Sequence, residues 1–171
     1  MTIGEFRQAR ARIQSYIRTT PTVPCSIPNL WLKLENLQLT HSFKIRGGFA
    51  RVCKLIDEND DRTILAVSAG NHGQAVALAA STFKRPCVVI VPESAPRAKI
   101  DAIKSYGITL QLRGRNYDEA ETIALEMAKD TARYAFVSPY NDHDVVLGQG
   151  SLAFEIVEQV PDVGVILVAV G

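Results

Sequence analysis

The chain has 171 residues, 47% of them hydrophobic and 22% charged, and a formal net charge of +1, the balance of an ordinary globular chain of one or two small domains. Even charge without a basic run argues against nucleic acid or an anionic membrane as the main partner. An apolar run of roughly 18 residues and a charged-then-apolar leader are both missing, so neither a membrane span nor secretion is predicted. Cys25, Cys53 and Cys87 are widely spaced among apolar residues, which predicts reduced thiols in a cytoplasmic protein and neither zinc nor a disulfide framework.

In chain order, Thr2 and Glu5 have capping-box spacing, and Phe6, Arg10, Ile13, Tyr16 and Ile17 follow with helical periodicity. A first helix is expected to end near Arg18, because Pro21 restricts the residue before it. Pro24 and Pro28 mark an extended connector, and residues 31–35 alternate as a half-buried strand does. A helix is expected from Lys44 to about Ile56, closed by the solvated turn 57–61. Strands and helices then alternate: strands at 63–67, 87–91, 109–112 and 135–137, with helices at about 72–82, 97–106 and 117–131, the second closed by Gly107. This spacing implies parallel strands joined by crossover helices, hence an open α/β sheet. Residues 138–150 are read as a loop leading into a helix at about 151–159, and residues 165–170 as a fully buried strand. Internal repeats are absent.

Chemistry concentrates in two stretches. In Thr40-His41-Ser42-Phe43-Lys44-Ile45-Arg46-Gly47-Gly48, Ser42 is the expected N-cap and Lys44 falls in the first helical turn. Partial positive charge at a helix N-terminus disfavours a cation by roughly 0.3–1 kcal/mol and so favours the neutral, nucleophilic amine. A neutral lysine commonly forms a Schiff base with a carbonyl compound or with pyridoxal phosphate, although a snorkelling surface lysine is the commoner case. Gly47 and Gly48 would admit a close neighbour, either backbone or a flat ring. The second stretch, Ser68-Ala69-Gly70-Asn71-His72-Gly73, lies between a strand and a helix, where backbone N–H groups face an anion.

Together these stretches resemble the fold-type II pyridoxal-phosphate enzymes, specifically the threonine/serine dehydratase and serine racemase branch. That branch carries Ser-Phe-Lys-x-Arg-Gly around its lysine and Ser-(Ala/Ser)-Gly-Asn-His-(Ala/Gly)-Gln after the next strand. Residues 32–38 and 148–151 also fit, so the resemblance covers essentially the whole chain. It implies the tryptophan synthase β-like fold, with a complete small domain at 48–138 and an incomplete large cofactor-binding domain at 1–47 and 139–171. The chain would then be an N-terminal half, weakly active or inactive alone, whose partner is a second copy or a complementary C-terminal half.

By the same resemblance, Lys44 would hold pyridoxal 5'-phosphate and take the Cα proton, Phe43 would contact its ring, and Asn71 would hydrogen-bond its phenolic oxygen. Ser68, Gly70, Asn71 and His72 would receive the substrate carboxylate. The implied reaction is α,β-elimination from a β-hydroxy amino acid such as threonine or serine, giving a 2-oxo acid and ammonia.

Two departures matter. Ala69 stands where the racemase branch has its second serine, the proton donor on the opposite face, which favours dehydratase over racemase. His41 stands where the family usually has glycine, which leaves the turn and the substrate open. Threonine synthase and cysteine synthase branches are disfavoured by His72, because they usually have threonine after the asparagine. A non-catalytic protein that self-associates is the remaining alternative. Of the other patterns, Gly148-Gln149-Gly150 reads as close helix packing rather than a nucleotide loop. Asp142-His143-Asp144 reads as a loop rather than a metal site, and Arg97, Lys99 and Lys104 as a solvated helix face.

Overall fold

The computed structural model describes residues 1–168. Helix α1 (Ile3–Ile13) starts from a reciprocal cap, in which Thr2 Oγ1 accepts the Glu5 N–H and a Glu5 carboxylate oxygen accepts the Thr2 N–H. It ends at Ile13, short of Arg18, and the following turn still packs Tyr16 and Ile17 on the core. The connector contains a strand: β1 (Thr22–Pro24) pairs antiparallel with β2 (Trp31–Lys33) in a two-stranded ribbon, whose free edges tolerate Pro24. Burial along β2 does not alternate as its sequence suggested, since Trp31 and Leu32 are both exposed.

Helix α2 (Lys44–Asp57) leads into a four-stranded parallel sheet of order β5-β4-β3-β6, formed by β3 (Thr63–Val67), β4 (Cys87–Val91), β5 (Thr109–Leu112) and β6 (Tyr134–Phe136). Its crossovers are α3 (Asn71–Thr82), α4 (Arg97–Lys104) and α5 (Tyr117–Ala128). Strand β3 shows why its run is almost wholly apolar. Ile64 and Ala66 face one core with α2 and α3, while Leu65 and Val67 face another with Ala120 and Ala124 of α5. Alternation sends successive side chains to opposite faces, and helices cover both.

Small residues set how closely the helices approach. A Cβ on Gly48 would lie 2.9 Å from the Ala75 carbonyl of α3. The region read as a loop contains a further helix, α6 (His143–Gly150), and α7 (Leu152–Gln159) follows. Asp142 caps α6 by accepting the N–H groups of Asp144 and Val145 at 2.9 and 3.0 Å. The acids of Asp142-His143-Asp144 thus serve the helix start and the Arg51 guanidinium, at 3.1 and 3.0 Å. A Cβ on Gly148 would meet Arg46 O and Ala50 Cβ, both at 2.5 Å, so this glycine lets α6 lie against α2.

The expected terminal strand is not formed over 165–168. These residues have no ladder partner among the described residues, and Val165, Leu167 and Val168 are largely exposed; the rest of that expectation lies outside the described residues. Among the described residues, no helix is long and apolar enough to cross a membrane.

Candidate active site

Lys44 is the first residue of α2, with Phe43 rather than Ser42 in the cap position. Ser42 still serves the helix start, because its buried hydroxyl accepts the Lys44 N–H at 3.2 Å. The Lys44 Nζ stands 5.3 Å from the Phe43 ring centroid, within cation–π range. Just before them, His41 has φ 55, the left-handed region in which glycine is unstrained. The histidine at this glycine-favouring position is held by a contact of 3.2 Å between its Nδ1 and the Asn36 carbonyl.

A buried ion cluster fixes the start of α2 from behind. Arg46, fully buried, donates to both oxygens of Glu35 at 2.8 and 2.9 Å and to both of Glu155 at 2.7 and 2.9 Å. Lys33 adds a 2.6 Å bond to Glu155. Burial works against ionisation of Glu155, but Arg46 and Lys33 outweigh it and hold the carboxyl below its ordinary range. Formally this is two cations against two anions, each with hydrogen bonds, the condition under which buried charges are tolerated. Gln149 of α6 completes the support, accepting the Gly47 N–H at 3.3 Å.

The second stretch forms the turn from β3 into α3. Ser68 Oγ accepts the Gly70 N–H at 3.0 Å, so that donor is already engaged. Helix α3 begins at Asn71, and the first N–H groups of any helix lack intrahelical acceptors. A Cβ at Gly73 would overlap the Ser68 carbonyl, which is why the turn can close so tightly.

His72 is buried, and its Nε2 lies 3.0 Å from the Val137 carbonyl of the segment after β6. A carbonyl only accepts, so the proton sits on Nε2 and Nδ1 is an acceptor; this nitrogen is buried with no partner among the described residues. Burial pushes the imidazole down to about 4, aided by the positive charge of Lys44, so the ring is neutral at physiological pH.

Lys44, Ser68, Asn71 and His72 meet on the wall of one cavity of about 250 Å³. Phe43 and Gly70 adjoin it in sequence without lining it. The rest of the lining was not anticipated from the sequence: Val67 of β3, Tyr117, the first residue of α5, and Pro139 and Tyr140, after β6. Tyr140 and Pro139 occupy the Ser-Pro-Tyr-Asn turn, but only the packing of β6 beside β3 carries that turn to the lysine.

Residues 13–171 match the pyridoxal-phosphate dependent enzyme family. The chain belongs to this family. As a family member it is 39% identical, over its whole length, to the L-threonine dehydratase catabolic TdcB of Staphylococcus aureus, of which it covers 51%. The chain therefore spans about half the length of the curated relatives it matches. Its fold is that of fold-type II enzymes: it superposes on a pyridoxal 5'-phosphate-dependent aspartate racemase with TM-score 0.86 and 34% identity, over 95% of this chain and 52% of that one. A threonine deaminase from T.th. gives TM-score 0.82 and 31% identity, over 97% of this chain and 54% of that one.

The residues present fit the family's cofactor. A lysine at a helix start opens onto a cavity that also holds a buried, unpartnered acceptor and a tight turn before free helix N–H groups.

Proposed function

We propose that this chain carries the lysine-bearing half of a cytoplasmic lyase that takes threonine or serine to a 2-oxo acid and ammonia. The observation that carries the reading is the meeting of Lys44 with the Ser68–His72 turn in one cavity, with alanine at position 69. Its similarity to threonine dehydratases over the whole chain supports the same reaction. In this reading Lys44 would hold pyridoxal phosphate through Nζ, with Phe43 beside its ring and Asn71 as a hydrogen-bond partner for its phenolic oxygen. When bound, the cofactor supplies the electron sink that makes the substrate Cα proton labile.

The remaining work falls to the chain. Ser68 and the N–H groups at the start of α3 bind and orient the substrate carboxylate, which the helix dipole favours. Lys44 Nζ takes the proton from Cα. His72, uncharged, accepts a hydrogen bond at Nδ1 and leaves proton transfer to the lysine. Ala69 brings no acid to the face opposite Lys44, so once the lysine has taken the Cα proton nothing on that face can return one with inversion, and elimination outruns racemisation.

We retain the division into residues 48–138 as one domain and 1–47 with 139–171 as part of another, supported by the sheet lying within the first. Three free cysteines are consistent with a cytoplasmic location. A second copy or a complementary C-terminal half is the partner this reading calls for, supported by exposed apolar residues such as Leu32 and Leu167.

Borohydride reduction after incubation with pyridoxal phosphate, followed by peptide mapping, tests the site. A stable adduct confined to Lys44 and lost in Lys44→Ala is expected. Adducts scattered over surface lysines would overturn the assignment. Product analysis with L-threonine then separates the chemistries: ammonia with a 2-oxo acid is expected, at low yield from the chain alone, and D-allo-threonine, the product of inversion at Cα alone, would favour a racemase.

A further inference from the structure

Two tyrosines in the cavity lining belong to a chain of hydrogen bonds that the proposed reaction does not use. Tyr117 OH donates to Glu121 Oε1 at 3.2 Å, one turn along α5, and Tyr140 OH donates to Tyr117 OH at 3.4 Å. A carboxylate can only accept, so its presence fixes the direction of both bonds. Tyr140 is 58% exposed, and while its hydroxyl donates to Tyr117 its oxygen offers lone pairs, not a proton, to whatever stands in the cavity. Burial, then Tyr140 and Glu121, raise the Tyr117 phenol above its ordinary range, so it keeps its proton.

We propose that Tyr140, oriented by Tyr117 and Glu121, is a specificity-determining hydrogen-bond acceptor that reads a free hydroxyl on the substrate side chain. This rests on the reading of the cavity as an amino-acid site and goes further, by stating what the side chain must offer. Serine and threonine carry an O–H donor. Their O-alkyl and O-acyl derivatives have oxygen in the same place but no proton on it. A site with a committed acceptor therefore separates two substrate classes of similar shape, because the wrong one leaves the acceptor unfilled. An isolated tyrosine would not, since its hydroxyl can donate as easily as accept. Glu121, on the helix behind the cavity wall, is the element that sets the polarity.

The test is titration of the ¹⁵N-labelled chain with L-serine and, separately, with O-methyl-L-serine, following the amides of Asn71, His72 and Gly73. About tenfold tighter binding of L-serine is expected, the size of one net hydrogen bond. Tyr140→Phe should erase the difference. Glu121→Gln can donate to Tyr117 and so reverse the chain, and should shrink or invert the preference while leaving the fold intact. Equal affinities in the unaltered chain, or a preference that survives Tyr140→Phe, would overturn the assignment of Tyr140 while leaving the carboxylate site standing. If neither amino acid perturbs those amides, both the inference and the reading beneath it fail.

Discussion

At the residue scale, His72 illustrates how burial selects a protonation state. Its unfolded value is the ordinary 6.5, and burial brings the folded value to about 4. Between these two values the unfolded chain binds more protons than the folded one, so stability falls as pH falls through that window and is fully present above it. The contribution lost between pH 7.5 and pH 5 is about 2 kcal/mol. Urea denaturation at several pH values should show a slope in this window that is shallower in His72→Gln, whose amide can still donate to Val137 O. An unchanged slope in the variant would mean that the folded ring takes up its proton over the same pH range as the unfolded one, and the claim that burial keeps it neutral would fall.

At the scale of elements, the start of α2 is held by interactions that no local pattern announces. Arg46 ties the turn containing Glu35 to α7 through Glu155, and Lys33 of β2 joins them. Arg46 and Glu155 lie 109 positions apart in the chain, and only the tertiary fold brings them together. Removing the guanidinium leaves the largely buried Glu35 carboxylate without a cation and Glu155 with Lys33 alone. Arg46→Met is therefore expected to destabilise the chain by about 3–5 kcal/mol in urea denaturation. Adding Glu35→Gln to that variant should recover part of the loss, because the unpaired charge disappears. A loss below about 1 kcal/mol would mean that water reaches the cluster and that the lysine turn is held by packing alone. In that event the Gln149 bridge and the glycines between α2, α3 and α6 would carry the positioning of Lys44.

On the scale of the whole molecule, what the sequence reveals follows from where each signal resides. The parallel sheet is legible because β3 and β4 are buried on both faces and so read as continuous apolar runs. Lys44 and the Ser68–His72 turn are legible because each is a local pattern at the start of a helix. Helix α6 is hidden by its own composition: its acidic cap resembles a loop, and Gly148 and Gly150 resemble breaks, although Gly148 is there for contact with α2. Tyr117 and Tyr140 are hidden because membership of the cavity is decided by sheet order, not by spacing.

The terminal run 165–168 misleads for a related reason: an apolar pattern states a need for burial without naming the partner. Trp31 and Leu32 on the β1–β2 ribbon share that condition, and Leu167 is 84% exposed. Exposed apolar side chains favour association. Sedimentation velocity on the purified chain should accordingly show a concentration-dependent shift toward dimers or larger species. Leu167→Lys should move the distribution toward monomer without lowering the melting temperature, since the side chain makes few intramolecular contacts to lose. A monodisperse monomer across the accessible concentrations would refute the prediction, and would mean that these residues are tolerated in water singly rather than as a patch.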